Sequence, residues 1–301
     1  MRLNDTSFTL LGIMYYGGKV SFDGQIFQPH GVKFPFLDQV RKEAKSLVPD
    51  QIKEAIASLL SLGLLETHNG HYTSNALGKS VAYTHFERQN HTRTDFLETI
   101  RLPFEHLSSG SRIVDVGSSA GILLPAIKMT TSVTKLNYLG IDLDLPMLKA
   151  SSFFPRPKGI TPCFVQASGE SLPVANASAD IVFSRGTLFF MRPQLFFREA
   201  YRVLKPEGTL FIITPTWEYH IKLLLHGSIK QRGIGGLSLL NGLLVAATGE
   251  PAFFSKLYSY SIFPRVIRKI ATKAGFKDVK TSSFQNENQV CPNLRLTAKK
   301  Q

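Results

Sequence analysis

The chain has 301 residues, 43% of them apolar, and a formal charge of +13. That length suggests about two domains, and that apolar share suits a globular protein rather than a disordered or fibrous one. Two cysteines, Cys163 and Cys291, exclude a disulfide framework, a cysteine-built metal centre and iron–sulfur chemistry.

No metal is expected, because His68, His71 and the other histidines lack metal-ligand spacing. No apolar run reaches the ~18 residues that a spanning helix needs. Asp5 and the lack of a small-residue cleavage site after Phe8–Tyr16 argue against a secretory signal, so a cytoplasmic protein is expected.

The first unit is placed at residues 1–105. Pro49-Asp50 starts a helix with Ile52, Ile56, Leu59 and Leu60 on one face, and Gly63 ends it. Leu64–Glu66 is a short strand, Asn69-Gly70 a hairpin turn, and His71–Thr73 the return strand. A second helix follows Asn75. This segment, LLSLGLLETHNGHYTSNALGKS, resembles a winged helix, a module that reads DNA or mediates dimerisation and substrate covering. Charge separates the two uses. Residues 1–110 hold 11 basic and 11 acidic residues, whereas the remainder holds 24 and 11. A DNA reader carries a basic footprint of its own. Nucleic acid is therefore not an expected partner, and a homodimer through this unit is.

Residues 106–301 open with Ser111–Leu124. An apolar strand through Ile113–Val116 runs into Gly117-Ser118-Ser119-Ala120-Gly121 and then a helix. Small residues let a ligand approach the backbone, and the helix behind offers free N–H groups. Further strands are predicted at Tyr138–Ile141, Cys163–Gln166, Ala179–Ser184 and Thr209–Thr214, with a helix over Gln194–Leu204 that Lys205-Pro206-Glu207-Gly208 stops. Strands alternating with helices predict an α/β, doubly wound, mostly parallel sheet. Asp142, at the tip of the second strand, is placed to accept from a ribose diol.

Four ordered segments, VDVGSSAG, GIDLDLPMLKAS, ASGESLPVANASADIVFSRGTLFF and FREAYRVLKPEGTLFIITP, resemble the class I S-adenosylmethionine-dependent methyltransferases of small-molecule type. The match covers about residues 108–215, with an echo at Phe263–Thr281. A dinucleotide site fits less well, because Ser119 stands where the second of three glycines belongs. The resemblance implies a seven-stranded sheet, S-adenosyl-L-methionine as cofactor and a small, apolar or aromatic substrate. It implies that Asp115, Gly117, Ser118, Ser119 and Gly121 line the methionine part. Asp142 would hold the ribose, Leu143 and Met147 flank the adenine, Ser168-Gly169-Glu170 pass its edge, and Ser184-Arg185 border the sulfonium. The family often has an acidic residue where Ser168 stands, and serine accepts without charge.

The segment from about 217 to 264 is inserted before the last helix. Its apolar run Leu237–Ala247 and its Phe253, Phe254, Tyr258 and Tyr260 suggest a lid that excludes water, with Gly233, Gly235 and Gly236 as its hinge. The histidine base of some hydroxyl-methylating relatives is absent, since Leu188–Met191 occupy that place. Tyr219, His220 and His226 are the catalytic candidates. The acceptor atom stays open among oxygen, nitrogen, carbon and sulfur. Two other functions stay open: methylation of a peptide or RNA, and cofactor binding without catalysis. The basic C-terminal third beside apolar residues also allows membrane-surface association.

Overall fold

The computed structural model describes residues 3–27, 37–105, 107–252, 259–285 and 291–301. The chain divides into two units that are each discontinuous in sequence. Residues 1–94, 119–126 and 144–157 form the first, and 95–118, 127–143 and 158–301 the second. The sequence expectation of one cut near residue 105 did not contain these returns.

The first unit begins with α1 (Asp5–Tyr15), β1 (Lys19–Ser21), β2 (Ile26–Phe27) and α2 (Leu37–Ala44), followed by α3 (Pro49–Ser61), β3 (Leu65–His68), β4 (His71–Ser74) and α4 (Ala76–His91). Pro49 occupies the first turn of α3, where its missing N–H costs nothing. Asn69 and Gly70 both take positive φ, +48° and +76°, as a tight β3–β4 hairpin requires. Asn75 caps α4 by accepting from the Gly78 amide at 2.9 Å. The sheet runs β2-β1-β4-β3, all antiparallel. Leu10, Leu11, Ile13, Val40, Leu59 and Val81 are buried in one core with Ala120 and Ala150 from the returning segments.

One polar anchor holds this unit to its own returning segment. Arg88 on α4 is 9% exposed. Its Nη2 donates to the carbonyls of Ala120 (3.2 Å) and Gly121 (3.0 Å), and its guanidinium lies 4.6 Å from the Phe154 ring centroid. A planar, always charged donor fork suits two adjacent carbonyls and an aromatic face together.

The second unit contains α5 (Thr94–Phe104), β5 (Arg112–Val116) and β6 (Leu136–Asp142), and α6 (Leu124–Thr130) starts in the first unit and ends in the second. After α7 (Leu145–Ala150), which belongs to the first unit, come β7 (Ile160–Gln166), β8 (Ala179–Arg185), α8 (Pro193–Val203) and β9 (Leu204–Pro215). Then follow α9 (Trp217–His226), α10 (Ile229–Thr248), α11 (Pro264–Lys273), β10 (Lys277–Phe284) and β11 (Asn293–Lys299). Its sheet runs β10-β11-β9-β8-β5-β6-β7. Strands β5 to β9 are parallel, and β11 is antiparallel to both its neighbours. This is the mostly parallel, seven-stranded α/β sheet that the sequence implied. One face buries Val114, Val182, Leu210, Ile212 and Leu296 with Phe196 and Phe197 of α8 and Ile267 of α11. On the other, Phe183 stands between Phe104 (5.9 Å between centroids) and Phe211 (5.6 Å).

Arg88→Ala should destabilise the chain by about 2–4 kcal/mol, because two buried carbonyls lose a charged donor. Arg88→Lys should restore only part of this, since an ammonium has no fork. Urea denaturation measures both; equal stability of all three would remove Arg88 from this role.

Candidate functional site

Strand order reverses at β5. The chain runs outward from β5 through β6 to β7, then returns to β8 on the other side of β5. Connections leaving β5 and β8 diverge there, and a crevice at such a point is where open α/β sheets bind ligands.

The turn after β5 is tied to the end of β6, because the Ile141 carbonyl accepts from the amides of Gly117 (2.8 Å) and Ser118 (3.0 Å). Gly117 has φ +78°, a conformation that favours glycine. A Cβ there would lie 2.1 Å from Thr187 Cγ2 and 2.6 Å from Thr187 Oγ1. Sequence reasoning reserved that space for cofactor; the structure fills it with Thr187. Ser119 and Gly121 also take positive φ, +49° and +68°. They lie in the first unit with Met147, whose amide donates to Asp144 at the cap of α7 (3.1 Å).

Thr187 is a residue that sequence reasoning missed. Its Oγ1 donates to the Val116 carbonyl (3.1 Å) and meets Ser184 Oγ at 2.7 Å. Ser184 is fully buried. It braces the ends of β5 and β8 rather than facing a ligand. Glu170 is likewise engaged. Its carboxylate accepts from the Arg192 amide (2.8 Å) and Arg192 Nε (2.9 Å), while Ser168 Oγ accepts from the Glu170 amide (3.1 Å). The loop carrying Ser168, Gly169 and Glu170 is thereby fixed beside the start of α8.

Asp115 is 2% exposed, and the Tyr138 hydroxyl donates to its carboxylate. Desolvation raises its pKa to about 7; the Tyr138 hydrogen bond opposes this, Asp142 adds to it and Arg185 lowers it. Asp115, Asp142 and Arg185 thus form one electrostatic group at the crevice. Arg185 also lies over the Phe96 ring at 5.2 Å. At the tip of β6, Asp142 accepts at its carbonyl from the Ala167 amide (3.1 Å). Leu143 leaves 67% of its surface exposed directly after it.

The inserted segment rises from the same edge. Tyr260 donates from its amide to the Phe189 carbonyl (3.2 Å) and from its hydroxyl to the Leu188 carbonyl (2.8 Å), both just after β8. Three expectations are corrected here. His220 is 3% exposed, its Nε2 meets Ser259 Oγ (3.0 Å) and its Nδ1 meets Ser261 Oγ (3.0 Å). Both ring nitrogens are taken, so it packs the insertion and offers no lone pair to a substrate. His226 is exposed at the end of α9, and Tyr219 is half-buried against His220; the candidate bases do not converge. Gly233, Gly235 and Gly236 lie inside α10 and form no hinge. Gly235 permits close packing on α9, since a Cβ there would be 2.7 Å from the His220 carbonyl. Tyr258, Phe253 and Phe254 lie outside the described residues. Among the described residues no cluster of His, Cys, Asp or Glu could hold a metal ion, and no helix is long and apolar enough to cross a membrane.

Residues 114–212 match a family model described as a methyltransferase domain. The chain is 35% identical over 103 residues to malonyl-[acyl-carrier protein] O-methyltransferase of Hahella chejuensis, covering 34% of this chain and 36% of that protein. It is 31% identical over 110 residues to the ubiquinone/menaquinone biosynthesis C-methyltransferase UbiE of Syntrophotalea carbinolica, covering 36% and 45%. It is 29% identical over 140 residues to the chloroplastic 2-methyl-6-phytyl-1,4-hydroquinone methyltransferase of Arabidopsis thaliana, covering 46% and 40%. The chain spans less than half the length of these relatives. A chain from the complex of the Haloferax volcanii Trm112 methyltransferase activator with a methyltransferase shares the fold. Its TM-score is 0.52 at 16% identity, over 73% of this chain and 96% of that one.

Two buried groups titrate in opposite directions. Asp115 has a folded pKa of about 7, above its unfolded value. Its stabilisation is therefore full below about pH 4 and is lost as pH rises through 7. Burial lowers His220 to about 4. Its stabilisation is full above about pH 6.5 and is lost as pH falls towards 4, by about 3 kcal/mol at most. Thermal melts should show Asp115→Asn gaining on the wild type as pH rises from about 4 to 7, and His220→Gln losing the acid-side slope. Parallel pH profiles for all three would overturn both assignments. Gly117→Val should itself lower stability, by about 2 kcal/mol or more, and Gly117→Val with Thr187→Gly should recover part of that loss in a double-mutant cycle.

Proposed function

We propose, since residues 114–212 match a family model described as a methyltransferase domain, that the crevice at β5, β6 and β8 binds S-adenosyl-L-methionine and serves methyl transfer to a small, apolar or aromatic metabolite. The observation that carries this is the tip of β6. Asp142 stands there beside the reversal point with the exposed face of Leu143 next to it. A carboxylate suits a ribose diol and a flat apolar surface suits a purine. Arg185, whose charge lowers the pKa of the buried Asp115, stands at the same crevice within the second unit.

When bound, the cofactor supplies an electrophilic methyl group on a sulfonium. The chain's own contribution is alignment and exclusion of water. Such effects can supply much of the acceleration when the methyl donor is already reactive. With His220 enclosed by two serines, a substrate that carries its own acidic proton or nucleophilic carbon fits better than one needing a histidine base. The quinones and the hydroquinone that appear in the names of two relatives, and the apolar insertion anchored after β8, support that class.

Calorimetry with S-adenosylmethionine tests the reading. Asp142→Ala should weaken binding by about 1–3 kcal/mol without changing the melting temperature appreciably. Unchanged affinity would take Asp142 out of the site, and a wild type that binds no cofactor would sink the proposal.

A further inference from the structure

Helix α10 is built inside out. The polar side chains in its middle, Ser238 and Asn241, point inward. Ser238 Oγ meets Ser259 Oγ at 3.1 Å, Asn241 Nδ2 donates to the Ser259 carbonyl (3.3 Å), and Asn241 Oδ1 accepts from the Ala252 amide (2.8 Å). Its outer side carries Ile229 (92% exposed), Leu240 (48%) and Leu243 (59%), with Ala246 and Ala247 also exposed. From Gly233 to Thr248 there is no charged residue. A helix on a water-facing surface has the opposite pattern.

Cations stand at both ends of this apolar stripe. Lys230 and Arg232 are exposed in the first turn of α10. At the other end, the last turn of α10 lines a groove together with Arg198 of α8 and Arg265, Lys269 and Lys273 of α11, and no acidic residue lines it. Arg265, Lys269 and Lys273 follow one another at four-residue steps along α11, so they share one helical face. Among the described residues none of these four makes an ion pair. Nearby Glu199 is engaged by Arg202 (2.7 Å), and Glu218 is bonded to Thr216.

We infer that the outer face of α10 lies on an anionic lipid bilayer, with Ile229, Leu240 and Leu243 in the acyl boundary and the flanking cations at the headgroup phosphates. A helix with exposed leucines between basic ends has the chemistry of an interfacial anchor. A second copy of this chain is the competing occupant, because Ile229, Gly233, Gly236, Leu240, Leu243 and Ala247 repeat at heptad spacing. Charge disfavours it. An antiparallel pair would set Lys230 and Arg232 against the partner's copy of the Arg198, Arg265, Lys269 and Lys273 group, and a parallel pair would set like ends together. Only an anionic surface neutralises both ends.

Vesicle co-sedimentation of the full chain decides, using phosphatidylcholine alone and phosphatidylcholine mixed with phosphatidylglycerol. The wild type should sediment with the mixed vesicles only and be released by salt, as screening dictates. Lys269→Ala with Lys273→Ala should weaken partition roughly 25-fold, at about fivefold per basic residue. Leu240→Asp with Leu243→Asp should abolish it; both positions are exposed, so an unchanged thermal melt verifies that this variant folds. A wild type that stays in the supernatant at every composition would overturn the inference. So would a self-associated wild type that the Leu240→Asp/Leu243→Asp variant turns monomeric, which would assign the stripe to a second copy.

Discussion

One carbonyl organises the candidate site. Ile141 O receives two successive amides, those of Gly117 and Ser118, and this can happen only if the chain leaving β5 bends at once towards the end of β6. The bend demands a left-handed conformation at Gly117, and the space left by its missing side chain is where Thr187 sits. Thr187 in turn reaches Val116 and Ser184. The ends of β5, β6 and β8 are therefore located by a single set of mutually dependent bonds. Asp142 follows Ile141 directly, so its position at the crevice is inherited from the same carbonyl.

Much of this frame is legible in the sequence. The parallel strands β5, β6, β8 and β9 are apolar runs closed by Gly, Asp or Pro, and Asn75 and Asn69-Gly70 mark a helix start and a hairpin by mechanisms that act over three or four residues. The parts that are not legible depend on partners far along the chain. His220 looks like any histidine of an amphipathic helix, and nothing nearby announces that Ser259 and Ser261 will enclose it. Asp115 reads as a ligand-facing carboxylate until the β5–β6 register brings Tyr138 against it. The glycines at 233, 235 and 236 suggest a flexible loop. The capping box of Ser228 and Gln231 instead starts a helix just before them, and close packing on α9 makes Gly235 an asset.

The insertion is not a loose flap. Tyr260 binds it by two hydrogen bonds to the backbone just after β8, within three residues of Thr187. Displacement of the insertion would pull on the same segment that braces β5 to β8. Whatever α10 rests on is thus mechanically joined to the crevice through packed helix, buried histidine and the turn after β8. Steric communication of this kind needs contiguous, well-packed contacts, and the buried Ser238, Asn241 and His220 provide them.

The discontinuity of the two units has a consequence for synthesis. The chain passes from one unit to the other five times before residue 158. Phe154, over which Arg88 stacks, and Ala150, which closes the first core, follow residue 94 by some sixty positions. A ribosome adding ~5–20 residues per second leaves the N-terminal helices incomplete for roughly 3 to 12 seconds. During that interval α1 to α4 can pack on one another, but the side of α4 that α7 covers stays open, and β5 and β6 emerge before the first unit can close. The first unit is therefore completed only after parts of the second have left the ribosome.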